Sequence, residues 1–98
     1  MTIESKNESG KLTLTITGRL DTSTSPKLEE ELKASYEGVT ELVFDLQKLE
    51  YISSAGLRVL LSAQKTMNKQ GIMKLINARE EIMEIFEITG FTDILTIE

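Results

Sequence analysis

The chain alternates between two hydrophobic periods, and the points where one gives way to the other mark its elements. Lys11 to Thr17 sets Leu12, Leu14 and Ile16 against Thr13, Thr15 and Thr17, the two-residue period of a strand with one buried face. Residues 2–7 complete a hairpin with residues 11–17 through a turn at Glu8-Ser9-Gly10. Gly18-Arg19-Leu20-Asp21 then leaves the strand for a polar stretch of Thr and Ser. At Ser25-Pro26 the period becomes helical. Ser caps free backbone N–H groups and Pro suits the first helical position. Leu28, Leu32 and Tyr36 recur every fourth residue and give one apolar face. Glu29, Glu30 and Glu31 are expected near the positive end of this helix, and Gly38 at its stop.

The second half repeats the alternation. Glu41 to Leu46 is a near-continuous apolar run, the pattern of a central strand covered on both faces. Gln47 to Ser53 holds Leu49, Tyr51 and Ile52 and is expected to pack onto the core as a connection. A second helix is predicted from Ala55 to Lys69, with Gly56, Val59, Leu60, Ala63 and Met67 inward. Arg58, Ser62, Lys65 and Lys69 form its wet side. Gly71 ends it, and Ile72 to Ile76 is a strand. Asn77 is predicted to cap a third helix, with Glu80 in the capping-box position. Ile82, Ile85, Phe86 and Thr89 mark its inner face, and Gly90 and Phe91 its stop. Ile94 to Ile97 is a short last strand. The order is ββαβαβαβ, an α/β domain with a mixed sheet and helices packed against it.

Composition narrows the function. With 98 residues, 40% hydrophobic and 28% charged, the chain reads as one globular domain spanning 1–98. The net charge is −5 and no basic stripe is evident along the sequence. Nucleic acid and anionic membrane are therefore not expected as direct partners, whereas a protein surface carrying Lys or Arg is. The absence of His and Cys removes the usual general base and any thiolate. No Gly-rich phosphate loop and no metal-ligand spacing is present. No catalytic residue, metal or cofactor is assigned, and the chain is not read as an enzyme. No apolar run reaches the roughly 18 residues that span a bilayer, and the polar start MTIESKNESGK lacks a signal-peptide core. A cytoplasmic location is the expectation.

The informative segment runs from Asp45 to Leu61. A buried strand ends, a loop crosses the sheet edge, and Ser53-Ser54 begins a helix. A Ser there lies beside free N–H groups and the positive end of the dipole, a place that tolerates a phosphate dianion. Arg58, about one turn along, could reach such a phosphate. Two readings of Ser54 stay open on local physics, a helix cap and a phosphoacceptor. Ala55-Gly56 fits close helix-on-sheet packing and also an uncluttered approach for a partner, two explanations that are compatible. Asp21 fits a loop-capping carboxylate.

Thr-Gly-Arg-Leu-Asp21, Asp45-Leu, Tyr-Ile-Ser-Ser-Ala-Gly-Leu-Arg-Val-Leu61 and Phe86-Glu-Ile-Thr-Gly-Phe91, in that order and spacing, closely resemble the STAS family of sulphate transporters and anti-sigma factor antagonists. The resemblance spans nearly the whole chain and points to the antagonist branch. It implies that the unphosphorylated protein binds an anti-sigma factor and frees the sigma factor. It also implies that the anti-sigma factor's serine kinase activity modifies Ser54 to end the binding, and that a phosphatase resets it. The position before this Ser is often Asp in the family and is Ser53 here, which makes Ser53 a second candidate. The implied partner surface comprises Asp21, Ser53, Ser54, Ala55, Gly56 and Arg58, in a monomer or weak dimer. The alternative is a STAS subunit of another assembly, such as a lipid-transport complex, a stress-sensing complex or a transporter tail, acting as a non-catalytic binding module. A purely structural scaffold would leave Ser54 unmodified.

Overall fold

The computed structural model describes residues 1–98. In chain order the elements are β1 (Thr2–Glu8), β2 (Lys11–Leu20), α1 (Ser25–Ser35), β3 (Glu41–Asp45), β4 (Leu49–Ile52), α2 (Ser54–Met67), β5 (Ile72–Ile76) and α3 (Glu80–Thr89). A short 3₁₀ turn, Phe91–Asp93, follows. The main sheet runs β1-β2-β3-β5, antiparallel between the first two strands and parallel thereafter. This is the mixed sheet that the alternating pattern predicts.

The β1–β2 turn is two residues long, with Ser9 and Gly10 both at positive φ, 52° and 89°. Such a turn matches the strands' right-handed twist and fixes the pairing Glu8↔Lys11. β2 does not end at Gly18, as its Gly suggested. It bulges between Gly18, whose φ is 98°, and Arg19, then continues to Leu20. The continuation exists because a second partner is waiting. β4 pairs with it in parallel, Gly18↔Leu49, Arg19↔Tyr51 and Leu20↔Ile52. Since Thr15 pairs with Asp45 just before, β3 and β4 act as one interrupted strand beside β2. At the interruption Leu46 N–H turns to the Ile76 carbonyl, 2.9 Å away. β4 is an addition to the predicted order. Leu49 and Ile52 are buried while Glu50 and Tyr51 are exposed, so it lacks a two-residue alternation.

One core gathers Leu12, Leu14 and Ile16 of β2, Leu42 and Phe44 of β3, and residues from all three helices, among them Leu28, Leu32, Leu60, Met67 and Phe86. β3 is buried on both faces at its centre, Leu42, Val43 and Phe44, and only its ends, Glu41 and Asp45, are partly exposed. Val43 is buried outside that core cluster, and Glu41, on the same face, pairs instead with Lys74 at 3.4 Å.

Several helix ends differ from expectation. α1 begins at Ser25, and Thr24 holds the cap position without a side-chain capping bond, its hydroxyl donating instead to the Arg19 carbonyl at 2.8 Å. No acidic residue falls in its first turn, so Glu29 to Glu31 lie beyond the free N–H groups. α1 ends at Ser35, and Gly38, at φ 78°, shapes the turn after it. Asn77 does not cap α3. It sits at φ 60° and donates from Nδ2 to Asp45 Oδ1 at 3.2 Å, and the helix starts at Glu80. Gly90 does stop α3, at φ 79°, with Phe91 packed on the core. The segment after it makes one bridge to the sheet, Leu75↔Ile97, in place of a full strand.

Gly71 gives a direct check on this packing. A Cβ there would fall 1.9 Å from the Thr40 carbonyl oxygen, whereas one on Gly38 meets nothing within 4 Å. Gly71→Ala is expected to destabilise by about 3 kcal/mol because backbone must move. Gly38→Ala is expected to cost only the roughly 1–2 kcal/mol of a left-handed conformation. Urea denaturation of both variants measures the difference, and equal losses would contradict the packing described.

Candidate functional site

Two connections meet where β2 and β4 end side by side. Ser53, just past β4, donates its N–H to the Leu20 carbonyl at 2.9 Å. That bond holds Ser53 extended, at φ −97° and ψ 176°, so helical geometry can begin only at the next residue. Ser53 is therefore the N-cap of α2, its Oγ accepting from the Gly56 N–H at 3.5 Å. Ser54, which the sequence left open as a cap, is the first helical residue. It is exposed, and none of the chain's side-chain hydrogen bonds employs its hydroxyl.

Gly56 serves close packing. A Cβ at this position would lie 2.8 Å from both Leu20 Cγ and Ile52 Cγ1. The missing side chain lets the first turn of α2 rest directly on the ends of β2 and β4. Ala55 is half-buried beside it, and Arg58, one turn on from Ser54, is exposed.

Asp21 is a loop-capping carboxylate. Its Oδ1 accepts from Ser23 N–H at 3.0 Å, Ser23 Oγ at 2.8 Å and Thr24 N–H at 3.1 Å. The Ser23 hydroxyl first, then the Thr24 donors, hold the carboxyl below the usual carboxylate range. Its other oxygen lies 3.7 Å from Arg19 Nε. The Arg19 guanidinium in turn stacks 4.2 Å above the centre of the Tyr51 ring. The sequence offers Arg19 as part of the chain leaving the strand and places Tyr51 on the core, whereas Tyr51 is exposed. They meet because β2 and β4 pair, and that pairing carries no local sequence signal.

The structure thus gathers Ser53, Ser54, Ala55, Gly56 and Arg58 at the N-cap and the start of α2. Asp21 joins them through the Leu20–Ser53 bond. Beside this helix start, α1 and α2 border an open cleft of about 560 Å³ whose lining includes Thr22, Ser25, Glu29, Ala55 and Arg58. No three acidic side chains converge to hold a metal ion, and no helix is long and apolar enough to cross a membrane.

The profile of the STAS domain matches residues 2–98. The chain belongs to the STAS domain family. BtrV of Bordetella bronchiseptica, assigned as an anti-sigma factor antagonist, is 38% identical over 90 residues, 90% of this chain and 78% of that protein. The anti-sigma-B factor antagonist of Bacillus subtilis is 32% identical over 96 residues, 97% of this chain and 88% of that protein. Among solved structures, an anti-sigma factor antagonist from Mycobacterium paratuberculosis shares the STAS fold with a TM-score of 0.88 and 23% identity, over 98% of this chain and 83% of that one. SpoIIAA in its unphosphorylated form shares it with a TM-score of 0.78 at 13% identity, over 99% of this chain and 87% of that one.

The two serines are expected to separate in stability. Ser53→Ala removes the α2 cap and costs about 0.5–1 kcal/mol. Ser54→Ala removes no bond and leaves the denaturation midpoint almost unmoved. Equal losses would contradict the assignment of the cap. Asp21→Asn adds a pH test. A carboxyl whose folded pKa is lowered stabilises the fold above its unfolded pKa and stops doing so as pH falls through the folded value. The stability gap between wild type and Asp21→Asn is expected to be full at neutral pH and to close below about pH 4. A gap that does not change with pH would refute the role given to Asp21.

Proposed function

We propose that this STAS domain is an anti-sigma factor antagonist, and that phosphorylation of Ser54 switches it off. The observation that carries the reading is the division of labour between adjacent serines. Ser53 holds the helix start through its N–H and its Oγ, while Ser54 presents an uncommitted hydroxyl at the first helical position. A phosphate on Ser54 would sit by the free N–H groups of the first turn, and the cap would stay intact. It would add about −1.5 to −2 charge at pH 7, enough to disrupt a surface fitted to a neutral hydroxyl. The names of the Bordetella and Bacillus relatives support the antagonist role. The phosphorylated form of SpoIIAA has the same TM-score to this chain, 0.78, as the unphosphorylated form, which fits a switch that leaves the fold in place.

In this reading the unmodified protein binds an anti-sigma factor and releases the sigma factor. The anti-sigma factor's serine kinase activity then modifies Ser54, and a phosphatase restores it. The partner surface comprises Asp21, Ser53, Ser54, Ala55 and Arg58, with Gly56 buried beneath it and setting how closely α2 approaches the sheet. Asp21 acts through the shape of its loop, since its carboxylate is already engaged. The chain itself performs no catalysis and requires no cofactor. It works in the cytoplasm as a monomer or weak dimer.

Incubation of wild type, Ser53→Ala and Ser54→Ala with the cognate kinase and ATP, followed by mass spectrometry, tests this. Phosphate is expected on Ser54 in wild type and Ser53→Ala, and none on Ser54→Ala. Ser54→Ala should still bind the anti-sigma factor, and Ser54→Asp should bind it more weakly. Phosphate on Ser53 alone, or on neither serine with an active kinase, would overturn the assignment.

A further inference from the structure

The net charge of −5 hides a local reversal. α2 contains no acidic residue, and Ser54, Arg58, Ser62 and Lys65 follow one another along its outward side at three- and four-residue spacing. Arg19, Lys33 and Lys74, by contrast, each have a carboxylate within 4.0 Å. Arg58 and Lys65 take part in no such pair, and both line the cleft beside α1. The one carboxylate that lines it, Glu29, is engaged with Lys33 at 3.5 Å. Pro26 and Val59 give the cleft an apolar part. Ser25, also lining it, is 3% exposed and its Oγ has no hydrogen-bond partner. A buried hydroxyl left unpaired is costly, and an arriving acceptor would satisfy it.

We propose that the α1–α2 cleft seats an acidic segment of the protein partner, with Arg58 and Lys65 pairing its carboxylates. The inference rests on the antagonist reading above and adds the chemistry of what is bound. Two unneutralised cations beside an apolar surface suit an acidic peptide segment. They are too few for a duplex or a lipid surface on a chain of this charge. The same geometry explains how the switch acts. A Ser54 phosphate, one turn from Arg58, competes for that guanidinium and repels the partner's carboxylates. The net acidity of the chain pointed to a basic partner surface. At this cleft the charge has the opposite sign.

Two measurements on the intact chain test the proposal. In the first, ¹H–¹⁵N spectra are recorded during titration with poly-L-glutamate at low salt, with poly-L-lysine as comparison. Shifts from polyglutamate are expected to cluster on residues 54–65 and around Ser25, and to vanish in the double variant Arg58→Glu, Lys65→Glu. In the second, affinity for the anti-sigma factor is measured by calorimetry. Arg58→Ala and Lys65→Ala are each expected to weaken it about tenfold, and more salt to weaken the wild type. Lys6→Glu, on the distant β1, should leave affinity unchanged. Thermal melts confirm folding, since neither cleft cation has an ion pair to lose. Dispersed or absent polyglutamate shifts, or cleft variants that bind the anti-sigma factor as wild type does, would overturn the proposal. Clustered shifts from polyglutamate with no anti-sigma factor binding by wild type would support the acidic-segment surface and overturn the antagonist reading.

Discussion

One backbone hydrogen bond, from the Ser53 N–H to the Leu20 carbonyl, sets the geometry on which the site depends. It extends the β2–β4 ladder by one residue beyond the last pair, Leu20↔Ile52. Ser53 is thereby held in an extended conformation that a helix cannot include, and α2 must start at Ser54. The helix can start so close to the sheet because Gly56 has no side chain to collide with Leu20 or Ile52. The same bond brings the Asp21 loop against the helix start. Cap, exposed serine and neighbouring loop are thus consequences of one strand pairing, and the rest of the core serves to hold β2, β4 and α2 in register.

Much of this was legible in the sequence, and the reasons differ by element. β2, α1, α2 and β5 announce themselves because each buries one face at a regular period, as Leu12, Leu14 and Ile16 do. β4 was not legible. Four residues with only the first and last buried show no alternation, and the pairing that makes them a strand lies with β2, some thirty residues away. The stretch of β2 beyond Gly18 was missed for the same reason, since a bulge Gly resembles a strand end until its second partner is known. Asn77 and Glu80 have the spacing of a capping box. The Asn77 amide instead bonds Asp45, a contact that exists only in three dimensions.

The site followed the same rule. That Ser53-Ser54 begins a helix was readable from the residue types. Which serine caps it was not, because the choice is made by Leu20. The stacking of Arg19 on Tyr51, and with it the exposure of Tyr51, has no local sequence signal because it spans two strands. Total charge also misled. A net of −5 describes the far surroundings of the molecule, whereas recognition depends on charges within about a Debye length of roughly 10 Å. Along α2 those charges are positive. On the proposed reading, a phosphate on Ser54 would act in a local field quite unlike the chain's average.

On the proposed reading, Ser54 would gain and lose a dianion without disturbing the fold, and the switch would be one of charge at a surface. Comparing amide shifts and hydrogen exchange between the unmodified and Ser54-phosphorylated protein tests it most directly. The account requires changes confined to residues 53–58 and the cleft between α1 and α2, with exchange of the β2, β3 and β5 amides unaltered. Accelerated exchange across those strands, or loss of protection at the Ser53 amide, would show that phosphorylation breaks the strand pairing on which the site is built.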